Sequence, residues 1–270
     1  MKYLLLTPAV ILAGIFVVWP LTEVVVMSMS RLHILGDVFV GFQNFARLPS
    51  DRAFIQSLLN SLLYTALCVP LQVGSVVAIT LMASGLSKRW QDTTRFLFYI
   101  PTMCAGMIIA SVWKWIWHID GPINWILGTD IQFFSTGITA ISAISITTSS
   151  ASLGGFLIIL LASTLSIDKS LYDAARIDGA SPLQIKLRVV LPIIMPTVWL
   201  CILLSAIGAP QVIEFVLALA PYEHSATVAF DIYSTAFYLS RYGPASAKAL
   251  VLLVWMLLLA FGKSRITRAT

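Results

Sequence analysis

Long apolar runs alternate along this chain with short polar connections. Six of these runs are long enough to cross a bilayer, which takes about 20 residues of helix. They cover residues 3–30, 54–85, 96–117, 136–166, 193–220 and 244–262. The pattern predicts an all-α polytopic membrane protein, one domain over residues 1–270 with six transmembrane helices.

Composition supports a membrane protein, since 59% of the 270 residues are hydrophobic and only 11% are charged. Too few charges are present to cover the surface of a soluble domain of this size. A cleaved signal peptide is the rival interpretation of the first run. That run is longer than the usual apolar region of about 7–15 residues, Pro20 interrupts it, and no small-x-small cleavage site follows. We therefore interpret it as the first transmembrane helix.

The basic residues indicate the orientation. With six spans, both termini lie on one side, and 11 of the 17 Lys and Arg residues lie on that side. Five lie on the opposite side, and Lys114 falls inside a span. Short cytoplasmic connections carry the excess of Lys and Arg in membrane proteins. The distribution predicts that both termini and the connection between spans 4 and 5 are cytoplasmic.

That connection, residues 168–192, holds seven charges between two uncharged runs. Asp168 can cap a first short helix, and Gly179 supplies a left-handed turn that most residues resist. Ser181 to Gln184 forms a capping-box pattern that opens a second short helix. We expect Pro192 to end that helix or to kink the entry into span 5.

Such a pair of helices could be an ordered loop, a docking site for a soluble partner or a DNA-binding motif. DNA binding is excluded because both ends are tethered to the bilayer, and Asp173 and Asp178 lie where phosphates would bind. We expect Leu171, Tyr172 and Ile177 to be exposed, which a solvated loop would not require. The sequence therefore favours docking.

The loop also carries a recognisable motif, D-A-A-x-x-x-G followed by V-x-L-P. It resembles the EAA loop of the permease subunits of bacterial binding-protein-dependent ABC importers. Asp173 stands where Glu is usual and Val189 where Ile is usual. The string A-R-I-D-G-A-S-P is similar to the carbohydrate-uptake branch, the maltose and glycerol-3-phosphate type. Further similarity extends over nearly the whole chain, although A-P-Y-E-H-S-A replaces the glycine-rich segment common after span 5.

The resemblance implies a function and a set of partners. The loop would seat two coupling helices in a groove of a cytoplasmic ATPase. The residues implied in this ATPase coupling are Leu171, Tyr172, Asp173, Ala174, Ala175, Ile177, Gly179, Ser181 and Pro182. The expected partners are a homologous second permease, two ATPase subunits and an extracytoplasmic solute-binding protein, in the bacterial inner membrane. The expected solute is a sugar, an oligosaccharide or a related compound such as a polyol phosphate.

No catalytic site is indicated in this chain. The G-K-S string at Gly262 lacks the preceding glycine of a phosphate-binding loop, since Leu257 occupies that position. Cys68, Cys104 and Cys201 lie in separate apolar runs without metal-ligand spacing. We expect no metal, cofactor or nucleic acid to bind here, and the resemblance implies that ATP and Mg²⁺ bind the partner ATPases.

Polar groups inside spans are candidates for the solute path, because hydrocarbon penalises them unless they pair or face a cavity. Gln211 and Glu214 form the best pair, expected on one face of span 5 at i and i+3; a helix–helix hydrogen bond is the alternative. Weaker candidates are Asn60, Tyr64, Gln72 and Trp113. Lys114 is expected to extend toward the outer interface.

Two other classes are open at this point. An ion-coupled secondary transporter would need an intramembrane acidic relay and inverted repeats. The spans offer one such acid, Glu214, and no repeat. A scaffold protein would leave the polar residues inside the spans without a role.

Overall fold

The computed structural model describes residues 2–31, 38–220 and 223–266. Pro221 and Tyr222, in the segment that departs from the glycine-rich pattern, lie outside the described residues. The α-helices are α1 (Lys2–Ala13), α2 (Trp19–Ser28), α3 (Gln43–Arg47), α4 (Arg52–Ala83), α5 (Lys88–Met103), α6 (Gly106–Ile116), α7 (Pro122–Leu127), α8 (Gly137–Leu165), α9 (Lys169–Ile177), α10 (Pro182–Ile185), α11 (Leu191–Gly208), α12 (Glu214–Leu219), α13 (Val228–Tyr233) and α14 (Tyr242–Ile266).

Shorter elements connect these helices. Within the described residues, three π-helical turns are Gly14–Val18, Lys186–Val190 and Ser234–Tyr238, and three 3₁₀ turns are Leu48–Ser50, Ala209–Gln211 and Glu223–Ser225. Two-residue strands β1 (Ser30–Arg31) and β2 (Val38–Phe39) pair antiparallel, with Ser30 opposite Phe39.

The described residues form five helices that are long and apolar enough to cross a membrane, and α5 with α6 makes a sixth if this bent pair is one span. The predicted all-α polytopic fold is confirmed. The long helices are Leu6–Ser28, Arg52–Ala83, Gly137–Leu165, Pro182–Gln211 and Tyr242–Phe261.

The third span differs from the prediction of a single helix over 96–117. It consists of α5 and α6, which are bent by 96° at Cys104 and Ala105. Both residues at the break have extended backbone, and Pro101 removes a backbone donor just before it. Helix α5 begins at Lys88, eight residues before the predicted start of this span, so Lys88, Arg89 and Arg95 lie in its first turns.

The fifth span starts earlier and ends earlier than residues 193–220. The helix is continuous from Pro182 to Gln211 and passes through Pro192, which was predicted to end or kink it. A π turn, Lys186–Val190, precedes this proline, as Gly14–Val18 precedes Pro20 in the first span. The i→i+5 hydrogen bonds of a π turn accommodate a proline, which has no backbone N–H to donate. Neither proline therefore ends its helix.

The centre of the bundle is the pair α4 and α8, against which α5, α11 and the outer turns pack. Helix α8 approaches α5 closely at Gly154, where an added Cβ would lie 2.6 Å from the Tyr99 Cα. The small residues of this span therefore permit the close helix contact that its composition predicts.

Candidate functional site

The first half of the loop between α8 and α11 is built by local interactions. Asp168 accepts a hydrogen bond from the backbone N–H of Ser170 at 2.9 Å and begins α9. This bond holds the pKa of Asp168 below its usual value. After α9 the chain turns at Gly179, whose φ is +76°. Both the predicted cap and the predicted left-handed turn are confirmed.

The second half opens with the predicted capping box. The Ser181 hydroxyl accepts from the Gln184 N–H at 3.3 Å, and the Gln184 side chain accepts from the Ser181 N–H at 2.7 Å. Pro182 occupies the first helical turn, where its missing donor costs little. This short helix is not separate, however, because it is the first turn of the fifth span.

The side chains of α9 divide between surface and interior. Leu171 is exposed, and Ile177 is 86% exposed, as a docking surface requires. Tyr172 was expected to be exposed, but it is half-buried and packs against a buried cluster that includes Val76 and Leu157. Burial also raises the pKa of the Tyr172 phenol.

The remaining residues of the loop show the same division. Asp173 accepts a hydrogen bond from Arg176 at 3.1 Å, and both side chains are exposed. Ala174 is exposed, whereas Ala175 is half-buried. One side of α9 is therefore free in this chain and the other packs back toward the spans.

A second region lies at the break in the third span. The Glu214 carboxylate packs directly against Gly106, the first residue of α6, where a Cβ would overlap it. The first N–H groups of a helix have no partner within the helix and attract negative charge. Helix α12 lies along α6, and Lys114 donates to the Ala218 carbonyl at 3.1 Å instead of only extending to the interface.

Glu214 faces a cavity of about 430 Å³ between α5, α6, α8 and α11. Thr102 and Ser152 also line it, but their hydroxyls donate to the carbonyls of Tyr99 and Thr148 in their own helices. Their oxygens therefore face the cavity mainly as acceptors. Together with a carboxylate, this makes a cavity suited to a ligand that donates hydrogen bonds.

Gln211 and Glu214 do not share a helical face, which corrects the prediction. The fifth span ends at Gln211, Val212 is extended, and Glu214 begins α12. The side chain of Gln211 is exposed and donates to the Ile207 carbonyl at 2.9 Å. Only Glu214 of the pair lines the cavity.

The weaker candidates for the solute path lie in packing contacts within or between helices. Asn60 donates to the carbonyls of His224 and Ala226, at 3.1 and 2.9 Å, and so fixes the outer turn after α12. Gln72 accepts from Ser205 of α11. Tyr64 is almost fully buried. Trp113 stacks on Trp117 with ring centroids 5.6 Å apart.

Sequence reasoning missed a buried charge cluster. Lys248 in α14 is 3% exposed and forms ion pairs with Asp231 at 2.8 Å and Asp51 at 3.0 Å. It also donates to Thr235 at 3.1 Å. A lysine inside an apolar run is the sequence feature that could have indicated this cluster. Its acidic partners could not be identified because Asp231 and Asp51 are distant in sequence. The cluster joins α13 and α14 to the beginning of α4.

The described residues contain no group of three His, Cys, Asp or Glu side chains that could hold a metal ion. The two regions that the geometry defines are thus a loop with an exposed apolar side between two spans and an acceptor-lined cavity at a broken span. This combination describes a multi-span membrane transport protein.

Comparison with known proteins identifies the family, although no family profile matches the chain. It is 30% identical over 271 residues to the inner membrane ABC transporter permease protein YcjO of Escherichia coli, covering 93% of this chain and 88% of that protein. It is 27% identical to the sulfoquinovosyl glycerol transport system permease protein SmoG of Agrobacterium fabrum, covering 84% and 80%. The chain belongs to the ABC transporter permeases.

The fold agrees with this assignment. A bacterial alginate ABC transporter, solved in complex with its alginate pentasaccharide-bound periplasmic protein, contains a chain that superposes with a TM-score of 0.85 at 21% identity. The superposition covers 99% of this chain and 94% of that chain. The superposition supports a permease fold for this chain, which is a multi-pass membrane protein.

Proposed function

We propose that this chain is a transmembrane subunit of a bacterial ABC importer that brings a sugar or oligosaccharide into the cytoplasm. The observation that carries the proposal is the loop of residues 168–192, in which helix α9 with exposed apolar residues is followed by a glycine turn and by the first turn of the fifth span. Membership of the ABC permease family supports it, as do relatives named as permeases of lactose and of trehalose/maltose transport systems.

The loop is proposed to couple the chain to its motor. Leu171, Ala174 and Ile177 would contact the cytoplasmic ATPase, while Gly179, Ser181 and Pro182 hold the turn in shape. ATP and Mg²⁺ would bind the ATPase subunits, so this chain performs no hydrolysis itself. Movement of the loop would then rock the spans and open the solute cavity to either side of the membrane in turn.

The complete transporter would contain this permease, a homologous second permease, two ATPase subunits and an extracytoplasmic binding protein. Both termini would be cytoplasmic, in agreement with the positive-inside distribution of Lys and Arg. In that orientation the 168–192 loop faces the ATPase and the turn held by Asn60 faces the binding protein.

The solute is proposed to be neutral and rich in hydroxyl groups. Glu214, Thr102 and Ser152 offer acceptors to the cavity at the broken span, and hydroxyl groups are the donors that match them. An anionic solute such as a polyol phosphate would meet the Glu214 carboxylate without a cation among the residues that line this cavity.

Uptake by the complete transporter, reconstituted in liposomes with its binding protein, tests the solute class. Neutral oligosaccharides should be taken up in competition with one another, and Glu214→Gln should raise their KM. Uptake of only polyol phosphates would contradict the proposed solute class but not the proposal that the protein belongs to an ATP-driven importer. Uptake driven by a proton or sodium gradient without ATP would contradict the importer and favour a secondary transporter.

A further inference from the structure

A second cavity, of about 800 Å³, lies between the 168–192 loop and the ends of the transmembrane helices. Its walls are the chain after α4, at Ser84 and Gly85, the end of α8, at Thr164 and Leu165, and one side of α9. It is therefore at the depth where the spans leave the membrane on the proposed cytoplasmic side.

One face of α9 lines this cavity. Lys169, Tyr172, Asp173 and Arg176 have the spacing i, i+3, i+4 and i+7, which places them on the same side of a helix. Leu171 and Ile177, the exposed apolar residues, do not line the cavity. Whatever occupies the cavity would contact α9 from behind its proposed ATPase-facing side.

The lining of the cavity is positively charged. It includes Lys169, Arg176 and Lys186 but only one acid, Asp173, which is already paired with Arg176. The Lys186 Nζ lies 3.7 Å from the position that a Cβ would occupy if Gly85 had a side chain. The ammonium group is therefore close to the residues that follow α4.

Neither lysine has an acidic partner within the described part of the chain: the ion pairs found there involve Arg95, His118, Arg176 and Lys248. Lys169 and Lys186 therefore keep their charge available to a ligand. Tyr172 adds a phenol, whose O–H group can donate a hydrogen bond. Two ammonium groups and a phenol are suited to the oxygens of a phosphate group.

Apolar residues border the same cavity. Leu86 and Leu165 line it and are 47% and 63% exposed at the ends of their spans. A free phosphate ion would gain nothing from these side chains, whereas a phospholipid could place its acyl chains beside them. Basic cavities at the cytoplasmic ends of spans are known to suit anionic lipid headgroups.

We propose that this cavity binds the phosphate group of an anionic phospholipid, held by Lys169 and Lys186. The lipid would contact α9 directly, so its presence would influence the position of the proposed coupling helix. The proposal does not depend on which solute is transported.

Native mass spectrometry of the purified transporter complex, titrated with phosphatidylglycerol or with phosphatidylcholine, tests this site. Phosphatidylglycerol should bind preferentially, and its affinity should fall about fivefold for each lysine removed in Lys169→Gln and Lys186→Gln. Lys186→Arg keeps the charge and should retain binding, which separates lost binding from misfolding. A parallel titration with inorganic phosphate distinguishes a lipid from a soluble source of the same group.

The matched control is Lys88→Gln with Arg89→Gln, which removes two charges near the same membrane face but outside the cavity. It should leave the tight phosphatidylglycerol site intact. Equal losses in the control and in Lys169→Gln/Lys186→Gln would mean that only general surface charge attracts the lipid and would overturn the proposal. Binding of inorganic phosphate but not of phosphatidylglycerol would assign the site to a soluble phosphate compound, and binding of neither would overturn it.

Discussion

The Glu214 carboxylate occupies the space that a side chain at Gly106 would fill. This contact joins the first residue of α12 to the first residue of α6, at the point where the third span bends by 96°. Because Gly106 has no Cβ, an acid from a distant part of the chain reaches the start of a transmembrane half-helix. The proposed solute cavity depends on this arrangement.

Gly106→Ala tests the role of this contact. The added methyl group should displace only the mobile end of Glu214, so the protein should fold normally while the carboxylate leaves its position. We expect the KM for solute uptake to rise about tenfold, the effect of one lost hydrogen bond to a charged group. Gly74→Ala, where no atom lies within 4 Å of the added Cβ, is the control. An unchanged KM in Gly106→Ala would remove Glu214 from the solute path.

Adjacent glycines in α8 provide a matched pair for helix packing. A Cβ at Gly154 would collide with the backbone of Phe98 and Tyr99, whereas Gly155 has no neighbour within 4 Å. Gly154→Ala should force α5 and α8 apart at a cost of about 1–3 kcal/mol and lower the thermal midpoint in detergent. Gly155→Ala should be neutral or stabilising, by up to about 1 kcal/mol, because alanine favours helix. Equal midpoints for the two variants would show that the helices are not in close contact there.

The Lys248 cluster predicts a graded series of stabilities. Lys248→Met leaves Asp231 buried without its cation and should lower the unfolding free energy by about 3 kcal/mol. Asp51→Asn should cost less, because the Asp51 side chain is 35% exposed and water compensates for the lost pair. Arg241→Met, at an exposed residue near the start of α14, should have little effect.

Combining Lys248→Met with Asp231→Leu supplies the internal check. Removing both charges should recover much of the stability lost in Lys248→Met, since the penalty comes from a charge buried alone. A double variant that is less stable than either single variant would contradict the idea that Lys248 and Asp231 act as one unit. Thermal unfolding in detergent, followed by tryptophan fluorescence, measures each step.

Features built by neighbouring residues were predictable from the sequence. The cap at Asp168, the turn at Gly179 and the capping box at Ser181 each depend on groups within three residues, and all three have the predicted geometry. The apolar runs also gave the spans to within a few residues where no break occurs, as in α4 and α8.

Long-range packing was not predictable in the same way. The pairing of Gln211 with Glu214 assumed a continuous helix, but the chain leaves the helix at Val212 so that α12 can pack along α6. Tyr172 was expected on the exposed docking surface with Leu171 and Ile177, yet α9 turns this side chain toward the buried cluster. Such choices depend on contacts between elements that are distant in sequence.

The central claim, that the 168–192 loop transmits the action of an ATPase, is tested most directly by ATP-dependent uptake into liposomes that contain the complete transporter. We expect Ile177→Asp, which places a charge on the exposed apolar side of α9, to abolish solute-stimulated ATP hydrolysis and uptake together. Ile177→Leu should preserve both activities. Undiminished ATP-dependent uptake by Ile177→Asp would contradict the account.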